Sequence, residues 1–347
     1  MVSIKDVAKK AGVSVGVVSK AFNNYPDVGK ETRKRIMDIA QELDYSPNRI
    51  ARNLSSKKNS AISLISSGFE ENDQKDNNSF ELFKGIYFGS QQLNLDFSIY
   101  FTDSFKQQEQ SYVQFCRERN IGGAILQGIK LDDPFFKEMV DTNVPCVLID
   151  VVMDEPQSCV GSVTIQNRKA TEDLTAYLIE RGHRDIAIMA GTKEAYVNEE
   201  RLKGVQDALL KHGLTFEDKM LFYADFDDQQ AYEKAKTYLK THRPTAFVCL
   251  SDLMAYGVMK AAQELGLSVP EDVSVVGFDN SMIAGMTTPT ITTIAQDFFE
   301  MGRQSALLLN RIVNGESKEN EIYLNYELLE RESVQDFTNS DRKEHES

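Results

Sequence analysis

From residue 61 to about 334 the chain alternates short apolar runs with segments of helical periodicity, and this alternation restricts the fold more than any other feature. Residues 61–66, 97–101, 124–127 and 146–150 read as a first series of strands. Residues 160–165, 186–190, 246–250 and 273–278 read as a second. Between them, apolar positions spaced by three and four mark helices, for example at 172–181, 201–212 and 253–265. Parallel strands need long crossovers, so the pattern predicts doubly wound parallel sheets with helices on both faces. Roughly 270 residues exceed one such sheet of ordinary size, so two similar lobes are expected. A ligand then belongs in the cleft, at the carboxyl ends of the strands.

Polar residues fall at those ends. Asp150 ends the run 144–149, and Asp279 ends 273–278. Ser251 and Asp252 follow 246–250 and open a helix. Arg201 opens another after the loop 192–200, and Phe226 lies in the polar loop 224–230. Carboxylates accept paired hydroxyls, an arginine forks two oxygens, and an aromatic face stacks on a sugar ring or base. Together they suit a small polyhydroxylated ligand. The plainer reading makes Asp252 a helix cap and Arg201 half of a structural ion pair.

The first 60 residues have the opposite charge. They carry 12 Lys and Arg against 6 Asp and Glu, a net of +6, whereas the remaining 287 carry a net of −20. A basic head on an acidic body is the asymmetry expected when only the head meets phosphate. Ser3 and Asp6 have capping-box spacing for a helix running to about Ala11, and Gly12 suits the turn. Ser14 can cap a second helix, residues 15–23. Two short helices joined by a glycine-containing turn form the helix-turn-helix pattern. Val18, Ala21 and Phe22 face inward, leaving Gly16, Ser19, Lys20 and Asn23 as an exposed stripe able to reach base edges or phosphates. A third helix, 30–43, completes an all-α domain of residues 1–46. Residues 47–60 form a linker in which Asn48 can cap a short helix with Ile50, Ala51 and Leu54 on its apolar face. An isolated helix this short needs a partner, which DNA and a second copy would supply.

Ile4-Lys5-Asp6-Val7-Ala8, Ala11-Gly12-Val13-Ser14, Val18-Ser19, Thr32-Arg33 and Pro47-Asn48 with Ala51-Arg52 and Leu54, in that order, resemble the LacI/GalR family of bacterial transcription regulators. So do Arg201-Leu202-Lys203-Gly204, Ser251-Asp252-Leu253-Met254-Ala255-Tyr256-Gly257, the segment 269–279 and Thr292-Thr293-Ile294-Ala295-Gln296, so the resemblance covers nearly the whole chain. It implies a periplasmic-binding-protein-like body, 61–334, and a sequence-specific DNA-binding regulator, most often a repressor, gated by a sugar-like effector. It implies that Val15, Gly16, Ser19, Lys20 and Asn23 read a major groove. Hinge helices would enter the minor groove, where Leu54 pries open a base step. Arg201, Phe226, Asp279 and Gln296 would line the effector cleft, with Asp150 and Ser251 corresponding more loosely. Corepression, or a protein co-regulator in place of an inducing sugar, is the alternative within this class.

The tail, 335–347, is polar and lacks leucine heptads, so a homodimer with a disordered end is expected. No apolar run reaches the ~20 residues of a membrane span, and no signal-peptide stretch opens the chain, which places it in the cytoplasm. The four cysteines have no CxxC spacing, and the four histidines form no HxxxH pair, so no metal is expected. A Walker loop, a GxGxxG turn and a nucleophile–base pair are all missing, so neither a cofactor nor enzymatic activity is expected.

Overall fold

A computed structural model describes residues 2–22, 25–43, 45, 61–68, 78–139, 142–153, 155 and 157–338. The chain divides into two compact units, Met1–Ser60 and Ala61–Ser347.

The first unit contains α1 (Ile4–Ala11), α2 (Val15–Phe22) and α3 (Lys30–Glu42). The Asp6 carboxylate accepts from the Ser3 amide at 2.8 Å and from its hydroxyl at 2.7 Å, tying off the start of α1. Gly12 ends α1 at φ 65°, a left-handed conformation that turns the chain toward α2. Val7, Ala11, Val18, Ala21, Ile36 and Ala40 are buried together where the three helices meet.

The described strands of the second unit are β1 (Ala61–Ser67), β2 (Asp96–Thr102), β3 (Ala124–Gln127), β4 (Cys146–Ile149), β5 (Val160–Ile165) and β6 (Ile186–Ala190). They continue with β7 (Leu221–Tyr223), β8 (Ala246–Cys249), β9 (Ser274–Asp279), β10 (Thr292–Gln296), β11 (Glu321–Leu324) and β12 (Tyr326–Leu329). Its helices are α4 (Asn78–Gln92), α5 (Lys106–Glu109), α6 (Tyr112–Glu118), α7 (Pro134–Met139) and α8 (Asn167–Glu180). After these come α9 (Tyr196–Lys211), α10 (Asp228–Leu239), α11 (Asp252–Glu264), α12 (Met282–Met286) and α13 (Phe298–Val313).

Two six-stranded sheets result, as the alternation requires. The first has the order β11-β5-β4-β3-β1-β2 and is parallel throughout. The second has the order β12-β10-β9-β8-β6-β7 and is parallel except for β12. Central strands are buried on both faces: Leu64 and Ile125 enter one core while Ile65 and Leu126 enter another. That is why they read as continuous apolar runs.

One grouping expected from sequence is corrected. Residues 160–165 open no second series; β5 pairs with β4 and β11 in the first sheet. The chain changes lobes three times, and each passage is a single residue: Gln166, Asp297 and Asn325. Each lobe is therefore assembled from distant segments. In the first, α13 lies across α4 so closely that a Cβ on Gly85 would overlap the Phe299 carbonyl, and one on Gly302 the Leu82 carbonyl. Gly302→Ala should therefore cost about 1–3 kcal/mol, because backbone cannot yield as a side chain can. A wild-type denaturant midpoint would contradict this.

At the start of the polar tail, the Phe337 ring packs edge-on against His183 at 5.0 Å and its amide donates to the Arg181 carbonyl at 3.0 Å, so residues 335–338 are packed on the body. Cys146 and Cys249 are buried, as small core residues should be. No helix among the described residues is long and apolar enough to cross a membrane.

Candidate functional site

The recognition face of the head is set by what its second helix buries. Ser14 Oγ accepts from the Val17 amide at 3.3 Å and caps α2. With Val18 and Ala21 inside, Val15, Gly16 and Lys20 are exposed and Ser19 is half-buried. Lys20 Nζ meets the Asp27 carboxylate at 2.5 Å, an exposed ion pair. Arg33 is committed to structure, since its guanidinium donates to the Tyr25 carbonyl at 2.5 Å and holds the turn before α3. Asn23, Asn48, Ala51 and Leu54 lie outside the described residues. Replacing Lys20 by Ala is expected to weaken specific DNA binding by about 1–3 kcal/mol and to flatten its salt dependence by about one unit. Anisotropy titrations at several salt concentrations check both; unchanged affinity would remove Lys20 from the interface.

The strand ends of the body gather most of the remaining candidates. Arg201 sits in the second turn of α9 rather than opening it, because α9 starts at Tyr196 behind Ala195, a residue with no capping side chain to signal the start. The residue is 3% exposed. Its Nε donates to Asn167 Oδ1 at 2.9 Å, its Nη1 to the Leu250 carbonyl at 2.7 Å, and its Nη2 lies 3.2 Å from Asp279 Oδ1. The guanidinium is stacked 3.7 Å from the Phe278 ring. Asp279 also accepts from Gln296 Nε2 at 2.6 Å. From the first lobe, Asp150 accepts from the Thr164 hydroxyl at 2.7 Å, and Asn167 Nδ2 donates to the same hydroxyl at 3.2 Å. Asp150, Thr164, Asn167, Arg201, Asp279 and Gln296 thus form one connected polar chain across the lobes. Burial raises the Asp150 pKa, opposed by the Arg201 charge and the Thr164 hydroxyl.

Backbone strain marks the same places. Asp150 and Phe226 both have φ 57°, and Asp279 has φ 105°. A phenylalanine rarely adopts this conformation, so surrounding structure must hold it there. The Phe226 ring lies over Gly191, where a Cβ would collide with it. The residue as a whole is half-buried.

Two candidates take supporting places. Ser251 caps α11, its Oγ accepting from the Met254 amide at 3.3 Å. Asp252 is fully buried and is not the cap. Its Oδ1 accepts from Thr293 Oγ1 at 2.6 Å and its Oδ2 from the Ser281 amide at 2.7 Å, bracing the turn after β9 against β10. Burial first, and Asp279 second, push its pKa up to about 8. Thr164 and Asn167 were missed by sequence reasoning. The strand-end rule applies to them, but α8 begins at Asn167 without a capping side chain, five residues before the expected start.

A cavity of about 650 Å³ opens beside this chain, between Asn78, Glu81 and Phe298 of the first lobe and Asp279 and Gln296 of the second. On the far side the lobes touch directly. The Leu131 amide donates to the Glu194 carbonyl at 3.2 Å, and Tyr196 packs against first-lobe core residues.

Residues 3–48 match the model for bacterial regulatory proteins of the lacI family, and residues 175–334 that for the periplasmic binding protein-like domain. The HTH-type transcriptional repressor PurR of Salmonella newport is 31% identical over 346 residues, covering 97% of this chain and 98% of that protein. The chain belongs to the LacI family. Among solved structures, the lac repressor dimer bound to operator and the anti-inducer ONPF superposes with a TM-score of 0.83 at 26% identity, covering 96% of this chain and 99% of that one. A complex of the transcriptional regulator CelR with cellobiose gives 0.73 at 28% identity, covering 96% and 100%. This LacI-family chain is a DNA-binding transcriptional repressor with a two-lobed effector domain.

Proposed function

We propose that this repressor leaves its operator when a small polyhydroxylated molecule binds between the lobes. The observation that carries the reading is the polar chain joining Asp150 of the first lobe to Arg201, Asp279 and Gln296 of the second beside a cavity of about 650 Å³. Such a chain is sensitive to lobe arrangement, so a ligand that competes for its carboxylates favours one arrangement over the other. Differential affinity is required: a ligand binding both arrangements equally shifts nothing. The related CelR structure holds cellobiose in its complex, which supports a sugar here.

The active species is a homodimer. Tyr87 and Phe88 on α4 and Phe101 on the edge strand β2 are exposed aromatic residues on the first lobe, and Met282 and Met286 are exposed on the second. The related lac repressor structure is of a dimer bound to operator, which supports this reading. Light scattering should give twice the 39.2 kDa chain mass.

Selection of genomic DNA fragments by the purified protein, repeated with a panel of sugars, tests the gating. The expected result is a short palindrome whose occupancy falls with one compound. Rising occupancy would make that compound a corepressor; a palindrome that no small molecule affects would overturn the gating.

A further inference from the structure

We infer that the cleft selects a phosphate-free ligand rich in hydrogen-bond donors, either a neutral polyol or an amine-bearing sugar. The inference rests on the proposed gating by a molecule in this cleft, and it specifies that molecule's chemistry.

Two independent observations point the same way. The first is charge. Among the described residues lining the cavity are four carboxylates, Glu81, Asp279, Asp297 and Glu327, and no Lys, Arg or His. The second is hydrogen-bond accounting. Gln296 lines the same cavity and is 9% exposed. Its amide orientation is fixed, because Asp279 can only accept and so takes the Nε2 donor. Gln296 Oε1 is left buried without a partner. Unmatched buried acceptors are costly, and a ligand bringing donors relieves that cost.

The cations behind the lining are already engaged: Lys84 pairs with Glu81 at 2.8 Å, and Arg331 donates to Asn280 Oδ1 at 2.6 Å. Arg201 already directs three donors to Asn167, Leu250 and Asp279. A phosphate monoester near neutral pH carries close to two negative charges and chiefly acceptors. It would add acceptors to acceptors, and negative charge beside Asp297 and Glu327 and beside two carboxylates whose cations, Lys84 and Arg201, are already paired. Nor do the described residues offer a group of three His, Cys, Asp or Glu through which a metal ion could neutralise it. Hydroxyls and ammonium groups supply the donors that the site lacks.

The test uses the full-length protein on its operator, with matched triples such as glucose, glucosamine and glucose 6-phosphate, extended to galactose and disaccharides. Calorimetry measures binding and anisotropy measures operator release. In the triple that binds, the phosphorylated member should be on the order of 100-fold weaker than its phosphate-free counterpart. Glu81→Gln combined with Glu327→Gln should narrow that gap about tenfold, while operator affinity and the thermal midpoint show that the variant is folded. If the ligand carries an ammonium, its affinity falls in that variant and falls with salt; a neutral polyol shows neither effect. Gln296→Leu, which removes the unmatched acceptor, should weaken either ligand about tenfold. A phosphorylated member binding more tightly than its counterpart overturns the inference while leaving the gating intact. An operator-binding protein that no member of the panel affects overturns the gating itself, and this inference with it.

Discussion

Arg201→Ala is expected to abolish the effector response and to destabilise the body by about 3–5 kcal/mol, the usual cost of stranding one half of a buried ion pair. The side chain is 3% exposed and holds four groups at once. Its loss leaves Asn167 Oδ1 and the Leu250 carbonyl without the arginine donors, strips Asp279 of its cation, and removes the cation from the Phe278 face. It also removes the positive charge that offsets burial of Asp150. Arg201→Lys should recover part of the stability but little of the response, since an ammonium is a point charge and cannot serve three acceptors in a planar fork. Denaturant unfolding and sugar-dependent operator release measure the two effects separately. An alanine variant that unfolds like wild type and still responds would show that Arg201 neither joins the lobes nor touches the ligand.

The legible parts of this molecule are those governed by local periodicity. Val18 and Ala21 are read as inward-facing from helical spacing alone, and burial of both fixes the exposed side of α2. The inner strands β3, β4, β8 and β9 are apolar on both faces and stand out for that reason. Asp150, Ser251 and Asp279 follow from the rule that function collects at strand ends. The rest depends on contacts between distant residues. The segment containing β11 and β12 looks like one alternating strand, and nothing local shows that the chain changes sheets at Asn325. The passages at Gln166 and Asp297 are equally short, so β5 reads as the start of a second lobe when it completes the first. Asp252 illustrates the limit of position alone. It stands at a strand end and opens a helix, yet Thr293 and Ser281 turn it inward as a brace.

That brace should make the body lose stability as pH rises. The folded Asp252 carboxyl has a pKa of about 8, above its ordinary 3.8, so the folded state holds a proton that the unfolded chain releases. The resulting stabilisation is complete below pH 3.8 and is lost as pH rises through about 8. At about 1.4 kcal/mol per pH unit the gap corresponds to roughly 6 kcal/mol, or on the order of 10 °C in thermal midpoint for a body of this size. His183 acts in the opposite direction at lower pH, since burial depresses its pKa and favours the neutral ring. Its contribution saturates once the unfolded histidine has also lost its proton, so the fall between pH 7 and 8, before the profile levels off, belongs to Asp252. Asp252→Asn isolates the effect. The amide can accept from the Ser281 amide as the acid does, and Thr293 can rotate to accept from it, since its hydroxyl also lies 3.4 Å from the Ile294 carbonyl. The variant should therefore match wild type only near pH 4 and below, show a flatter profile, and be the more stable protein by a margin that grows with pH and levels off above about 8. Parallel wild-type and variant midpoints across this range would mean that Asp252 is ionised in the folded protein, with the Ser281 and Thr293 donors and the N-terminus of α11 outweighing the cost of burial.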